Sequence, residues 1–180
     1  MVCNLKIGTF NAQNRLSNDL GWAETVDYFK SKNCDIVLLQ EIGLLSNTPD
    51  ISPQILGPYS LFLNCEGSCA HHSVGILIKS NLRGSVARTD RSFPGRHLSI
   101  HFETISRKFC ISNVYLPTGI MSVPDRREEK DKKKEKEEKD RHDSLELAKR
   151  IASHIQAISR EKSIIVGGDF NEILRPCSIG

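Results

Sequence analysis

The sequence lacks any long apolar run. Its uninterrupted aliphatic runs, such as residues 36–39 and 164–166, stop after three or four residues, whereas a helix that crosses a bilayer needs about 20. The first eleven residues, MVCNLKIGTFN, also lack the basic segment and apolar stretch of a secretory signal. We therefore expect a protein without a membrane span that is not secreted and stays inside the cell, in the cytoplasm or the nucleus.

Aromatic residues are scarce as well, at 6% of the chain with a single tryptophan. Hydrophobic residues nevertheless make up 38% and charged residues 26% of 180 residues, a balance that argues against disordered, collagen-like and fibrous chains. The length suffices for one buried core and is marginal for two. We expect one globular domain over residues 1–180.

Cysteine is present six times, but no secretory signal accompanies it, so we interpret the cysteines as reduced and mostly buried thiols. One segment hints at a metal. Cys65, Cys69, His71 and His72 lie within eight residues, but this spacing matches no common zinc pattern and crowds the ligands. A structural metal there is the less favoured interpretation.

Charge is distributed unevenly. Residues 125–143 hold nine Lys or Arg and nine Asp or Glu, so the net charge of +3 belongs to the rest of the chain. This small excess is compatible with a phosphate-bearing substrate. The balanced tract is a helix extension supported by i,i+4 ion pairs or a loop insertion, and the two alternatives stay open.

Short β-branched runs predict seven strands, at residues 5–10, 35–40, 59–63, 74–78, 97–102, 109–115 and 163–166. A first helix is predicted from a cap at Ser17 or Asn18 to a residue before Asn33, with Trp22, Val26 and Phe29 on one face. The apolar stripe of a second helix consists of Leu145, Ala148, Ile151, Ala152, Ile155 and Ile158. Such a stripe is typical of a helix that packs on a sheet.

Polar side chains follow four of these predicted strands. They are Asn11, Glu41, Tyr115, and the pair Asp169 and Asn171. Taken singly, each is more readily a solvated strand end, a turn residue or a cap than a functional residue. Gathered at one edge of a sheet, they form an oxygen-rich pocket that suits Mg²⁺ better than zinc.

Four motifs carry these residues: GTFN at 8–11, IVLLQE at 36–41, NVYLP at 113–117 and VGGDFN at 166–171. In this order they resemble the endonuclease/exonuclease/phosphatase superfamily, which includes DNase I, the exonuclease III-like abasic-site endonucleases and the LINE-type retrotransposon endonucleases. SVGILI at 73–78 and GRHLSI at 95–100 resemble its intervening strands. The Gly95-Arg96 pair is similar to the retrotransposon branch.

The resemblance implies a DNase I-like fold, an α/β four-layer sandwich of two mixed β-sheets flanked by helices. It implies hydrolysis of nucleic-acid phosphodiesters with Mg²⁺, or Mn²⁺ in its place, and favours a retroelement-type endonuclease that nicks DNA. Alternatives in the superfamily are an RNA 3′-exonuclease and a lipid or inositol phosphoesterase. An alternative of another class is a noncatalytic module that binds nucleic acid or a partner protein.

The resemblance also implies a role for each residue. Glu41 binds the divalent metal, and Asn11 supports the metal and phosphate site. Asp169 orients or deprotonates the attacking water, and Asn171 holds that water or a phosphate oxygen. Tyr115 donates a hydrogen bond to the scissile phosphate.

The sequence departs from the superfamily after Asn171. Members continue to a Ser-Asp-His segment, whereas all six histidines here precede Asp169. We therefore expect a domain that is truncated at its C-terminus, with an incomplete second sheet and without one catalytic residue. That a chain of this length is inactive is a further hypothesis.

Overall fold

The computed structural model describes residues 4–104, 107–116 and 130–171. Within them the strands are β1 (Ile7–Asn11), β2 (Ile36–Gln40), β3 (Tyr59–Cys65), β4 (Ser73–Lys79), β5 (Val86–Phe93), β6 (His97–Glu103), β7 (Lys108–Tyr115) and β8 (Ser163–Asp169). The helices are α1 (Asp19–Ser31), α2 (Pro53–Leu56) and α3 (Lys130–Ser159). Short 3-10 helices cover Arg15–Ser17 and Ser80–Ser85.

The strands form two four-stranded mixed sheets. The first has the order β1-β2-β4-β3 and the second the order β5-β6-β7-β8. The β1–β2 and β7–β8 pairs are parallel, while the other neighbours are antiparallel. The two mixed sheets predicted from the resemblance are confirmed.

Alternation along the strands places one core between the sheets and another outside the first sheet. The core between the sheets consists of residues such as Ile36, Leu38, Ile76, Leu98, Ile100 and Ile111. On the outer face of the first sheet, Val37, Leu39 and Leu77 pack with residues of α1. Helix α3 buries Ile151 and Ile158 and contacts β8 of the second sheet. The order helix, sheet, sheet, helix is the predicted four-layer arrangement.

Helix α1 begins and ends as the sequence predicts. The Asn18 side chain accepts a 3.0 Å hydrogen bond from the Gly21 N–H, which satisfies one of the free amides of the first turn. Trp22, Val26 and Phe29 form its buried face.

Helix α3 extends into the charged tract. The helix begins at Lys130, so the charged tract is helical from that residue onward, as one of the two alternatives predicted. Residues 125–129 lie outside the described residues. The apolar stripe is narrower than predicted. Leu145 is 52% exposed and Ala152 is exposed, whereas Ile151 and Ile158 of the same stripe are buried.

The seven predicted strands are present with ends that differ by at most three residues, and β5 is an additional strand. Strand β5 has the sequence VARTDRSF, in which apolar and polar residues do not alternate clearly. The strand lies at the edge of the second sheet, and many of its side chains are exposed. Its pairing with β6 is also interrupted at two places, which breaks the alternation of faces.

The described cysteines are free thiols, as predicted. Cys34, Cys65 and Cys110 are buried and Cys69 is half-buried, while Cys3 and Cys177 fall outside the described ranges. Among the described helices, none combines the length and apolarity needed to span a membrane.

The segment from Cys65 to His72 does not gather its candidate ligands. The Cys65 thiol contacts the Ser46 carbonyl at 3.3 Å, His71 pairs with Asn14, and His72 pairs with Glu66. In the part of the chain that the structure describes, these cysteines and histidines form no metal-ligating group.

Candidate active site

Five predicted site residues lie at one edge of the sandwich. Asn11 is the last residue of β1, Glu41 follows β2, and Tyr115 and Asp169 end β7 and β8. Because each parallel pair runs in one direction, the carboxyl ends of its strands meet at the same edge. Strands β1 and β2 of the first sheet contact β8 of the second, which brings the two edges together.

The Asn11 amide joins the two carboxylates. Its Nδ2 donates to Glu41 Oε1 at 2.9 Å and to Asp169 Oδ2 at 2.7 Å. The Asn11 Oδ1 accepts from the Gln13 backbone N–H at 3.0 Å, which fixes the orientation of the amide. One side chain of the first sheet thus holds a carboxylate from each sheet.

Tyr115 adds a donor to the same carboxylate. Its hydroxyl donates to Glu41 Oε1 at 2.9 Å. Burial, together with the hydrogen bond to Glu41 and its charge, raises the pKa of Tyr115 to about 12, while Arg96 opposes the shift. The phenol is therefore a neutral donor throughout the physiological range.

Asn171 lies in the loop that follows β8. Its backbone N–H donates to Asp169 Oδ1 at 3.0 Å, and its Nδ2 donates to the Leu116 carbonyl at 2.7 Å. The Leu116 N–H in turn donates to the Asp169 carbonyl at 2.9 Å. Asn171 therefore fixes the Asp169 carboxylate and ties together the ends of β7 and β8.

Two site residues have left-handed backbone conformations. Glu41 has φ 48° and Asn171 has φ 47°. Residues other than glycine seldom adopt this backbone region, and those that do are often at functional positions. After Glu41, the Ser73 hydroxyl accepts from the N–H groups of Ile42 and Gly43 at 3.0 and 3.2 Å. These bonds stabilise the turn that aims Glu41 into the pocket.

Gly168 is required immediately before Asp169. Its φ is 141°, and a Cβ at this position would lie 1.9 Å from the Val114 carbonyl oxygen. A side chain there would push β8 away from β7 and displace the Asp169 carboxylate.

Sequence reasoning gave no role to the amides of Gln40 and Asn113. Gln40 Nε2 donates to Asn113 Oδ1 at 2.7 Å, and Asn113 Nδ2 donates to the Leu39 and Gly75 carbonyls at 2.8 Å each. The sequence signal for both was an amide side chain close to a predicted site residue. Gln40 directly precedes Glu41, and Asn113 lies two residues before Tyr115.

Arg96 is a further residue of the site without a predicted role. Its guanidinium lies 4.7 Å from the centroid of the Tyr115 ring, and its Nη2 donates to His72 Nε2 at 2.6 Å. Its Nη1 is buried and has no hydrogen-bond partner among the described residues. The only signal was the Gly95-Arg96 pair, where the glycine has φ 66° and lies against the His72 backbone.

The donor set fits a hard divalent cation. Glu41 and Asp169 supply carboxylate oxygens, and the Asn11 carbonyl keeps a second lone pair beside the one used by Gln13. Carboxylate and amide oxygens are the ligands that Mg²⁺ and Mn²⁺ prefer.

A family model described as the Endonuclease/Exonuclease/phosphatase family matches residues 8–176, a range that includes all five site residues. The chain belongs to this family. Its members are metal-dependent phosphodiesterases and nucleases. No curated protein sequence gives a significant match.

Solved structures of the same fold are similar to the chain over most of its length. The Xenopus laevis APE2 catalytic domain superposes with a TM-score of 0.58 at 17% identity, covering 96% of this chain and 60% of that one. Humanized D. rerio TDP2 gives 0.55 at 17% identity, covering 94% and 63%. A family protein from Leptotrichia buccalis gives 0.53 at 16% identity, covering 93% and 67%. The chain thus spans less than two thirds of the first two.

Proposed function

We propose that this protein hydrolyses phosphodiester bonds of nucleic acid with Mg²⁺, and that it nicks DNA as an endonuclease of the retroelement type. The observation that carries the proposal is the Asn11 amide, which holds Glu41 and Asp169 at 2.9 and 2.7 Å across the two sheets. Family membership supports the reaction type, and the geometry supports a division of labour between the two carboxylates.

Glu41 is the proposed metal ligand. The Tyr115 and Asn11 donors orient its Oε1, so the remaining carboxylate oxygen is aimed by fixed neighbours. A divalent cation held by Glu41 would neutralise charge that develops on the nonbridging phosphate oxygens. Mn²⁺ is expected to replace Mg²⁺ because it accepts the same oxygen ligands.

Asp169 is the proposed base or water-orienting residue. Asn11 Nδ2 holds one of its oxygens and the Asn171 N–H holds the other, which fixes the plane of the carboxylate. In-line attack needs a group that takes the proton of the water on the side opposite the leaving oxygen. Asn171 is proposed to position this water or a phosphate oxygen, and the Tyr115 hydroxyl to contact the scissile phosphate.

DNA is the proposed substrate among nucleic acids. The Gly95-Arg96 pair is similar to the retrotransposon endonucleases, and the buried Arg96 Nη1 beside the Tyr115 ring offers a donor of the kind that phosphate oxygens accept. The net charge of +3 supports binding of a polyanion.

The test is nicking of supercoiled plasmid with Mg²⁺, with Mn²⁺ and with EDTA. We expect metal-dependent nicking that Asp169→Asn lowers by at least about a hundredfold and that Asp143→Asn, an exposed position of α3, leaves unchanged. Since the chain spans less than two thirds of the solved homologous chains, the protein encoded by the native transcript is assayed beside it. Nicking that survives Asp169→Asn or EDTA contradicts the proposal.

The same variants separate the alternatives. Metal-dependent release of nucleotides from the 3′ end of an RNA, of phosphate from phosphoinositide vesicles or of phosphocholine from sphingomyelin vesicles, without plasmid nicking, would assign the other activities of the superfamily. DNA binding that ignores Mg²⁺ and survives Glu41→Ala and Asp169→Ala, in the absence of any turnover, would assign a noncatalytic module.

A further inference from the structure

A second group of metal-ligating side chains lies away from the proposed active site. Asp90 of β5, His97 of β6 and His154 of α3 place one ligand atom each within 4.8 Å of one another. Leu98 and Ile100 belong to the core between the sheets, so the alternation along β6 puts His97 on the opposite face, under α3. The group therefore shares no residue with the Glu41 and Asp169 pair.

His97 has an unused nitrogen. Its side chain is fully buried, and Nδ1 has no hydrogen-bond partner among the described residues. The Nε2 atom contacts the hydroxyls of Ser99 and Ser112 at 2.8 Å each. Buried polar atoms without a partner are rare in folded proteins because they lose hydration without compensation, so the bare Nδ1 points to a ligand.

The surroundings of the other two side chains are already ordered. His154 Nε2 lies 2.8 Å from Asp90 Oδ2, and the Ser92 backbone N–H donates to Asp90 Oδ1 at 2.9 Å. On helix α3, His154 lies between the buried residues Ile151 and Ile158. The Ser92 hydrogen bond holds the Asp90 oxygen that is not shared with His154, and bonds of this kind orient the ligands of protein metal sites.

We propose that Asp90, His97 and His154 bind a divalent transition-metal ion of the zinc class and so fasten α3 to the second sheet. Two imidazoles and one carboxylate favour zinc and its neighbours over Mg²⁺, which prefers oxygen ligands. Bonds of about 2.1 Å in a tetrahedral site bring ligand atoms to about 3.4 Å from each other. His154 Nε2 and Asp90 Oδ2, now 2.8 Å apart, move slightly away from each other to reach this distance, and His97, whose ligand atom lies within 4.8 Å of both, moves towards them.

Binding requires neutral imidazoles. His97 ligates through Nδ1 while its Nε2–H donates to a serine hydroxyl, and His154 ligates through Nε2 with its proton on Nδ1. The ion then occupies the place of the proton that His154 shares with Asp90, and water completes the coordination. The inference does not depend on the proposed nuclease activity, because no residue is common to the two sites.

Co²⁺ is the probe for the test, since its visible absorption reports coordination in sites that bind zinc. The full chain carries Glu41→Gln, which removes the proposed magnesium ligand, and is freed of metal with EDTA before the titration. We expect one Co²⁺ to bind with visible bands, one equivalent of Zn²⁺ to displace it, and excess Mg²⁺ to leave it in place. Zn²⁺ is also expected to raise the melting temperature.

His154→Gln is the decisive variant because its side chain is partly exposed and its loss leaves the sheet intact. We expect it to weaken Co²⁺ binding by at least about tenfold and to abolish the melting shift. The control is His142→Gln, an exposed histidine of the same helix. Circular dichroism checks the fold, and Asp90→Asn repeats the test with an isosteric change. Unaltered Co²⁺ binding in both variants, or no visible bands in the parent protein, overturns the proposal.

Discussion

Gln40 of the first sheet donates from Nε2 to Oδ1 of Asn113 in the second sheet, at 2.7 Å, inside an otherwise apolar core. Both side chains are almost completely buried. The Asn113 amide nitrogen donates to the Leu39 and Gly75 carbonyls of the first sheet. The contact therefore fixes how the two sheets are placed relative to each other, immediately behind the proposed active site.

Asn113→Ala is expected to destabilise the protein strongly. The change removes three buried hydrogen bonds and leaves Gln40 Nε2 with only its longer contact to Thr9 Oγ1 at 3.3 Å, so the free energy of unfolding should fall by about 3 kcal/mol. Urea unfolding followed by circular dichroism measures this. The matched control is Asn81→Ala at an exposed position, and equal losses in the two variants would contradict the assigned role.

Gly168→Ala is expected to damage both stability and activity. The new Cβ would overlap the Val114 carbonyl, and φ of 141° is unfavourable for alanine, so we expect a loss of about 3 kcal/mol and no measurable nicking. Gly84→Ala, where a Cβ meets open space, serves as the control. A stable Gly168→Ala protein with unchanged activity would show that Asp169 does not depend on this backbone conformation.

Tyr115→Phe is expected to lower the nicking rate by about ten- to a hundredfold while preserving the fold, because it removes the hydroxyl that donates to Glu41 in this structure and that is proposed to turn to the scissile phosphate. The pKa of Tyr115 is raised to about 12. The pH–rate profile of the parent protein should accordingly show no loss of activity from tyrosine ionisation below about pH 10. An alkaline limb near pH 10 that disappears in Tyr115→Phe would argue against this, and Tyr28→Phe, which is exposed, provides the comparison.

His97 predicts a pH dependence of stability in metal-free protein. Burial, opposed by the Asp90 charge and assisted by His154 and His101, lowers its pKa from 6.5 to about 4. Between these two values the unfolded chain binds the proton and the folded chain does not, so stability falls as the pH falls from 6.5 towards 4. We expect a loss of about 2 kcal/mol between pH 7 and pH 5 from this residue.

Urea unfolding at the two pH values, with EDTA present, measures this loss. His97→Gln serves as the comparison, since glutamine does not titrate and its stability should change less over the same interval. Equal changes in the parent protein and in His97→Gln would show that His97 does not set the pH dependence.

The sequence predicted the parts of this fold that depend on apolar alternation and the parts of the site that follow strands. Strand β2 is apolar at almost every position, so the sequence predicts it. Strand β5 is mostly polar, lies at a sheet edge and is bulged, so its sequence lacks the alternation of apolar and polar residues that predicts a strand. The sequence also showed that Glu41 directly follows the apolar run of β2. The left-handed backbone conformation of Glu41 could not be predicted from the sequence.

Contacts between distant elements could not be derived from spacing. Arg96 lies over Tyr115 because β6 and β7 pair in a particular register. Asp90, His97 and His154 come from three elements and meet only because α3 crosses the second sheet. Neither periodicity nor a local motif specifies these relationships, which depend on tertiary packing.

The Asn11 bridge also affects when the site can exist. Its two partners lie 30 and 158 residues away along the chain, so the second hydrogen bond closes almost the whole described sequence into one loop. Long closures of this kind come late in folding. On the ribosome, β1, which carries Asn11, is made before β8. A nascent chain therefore carries no assembled Asn11 bridge until residue 169 has left the exit tunnel.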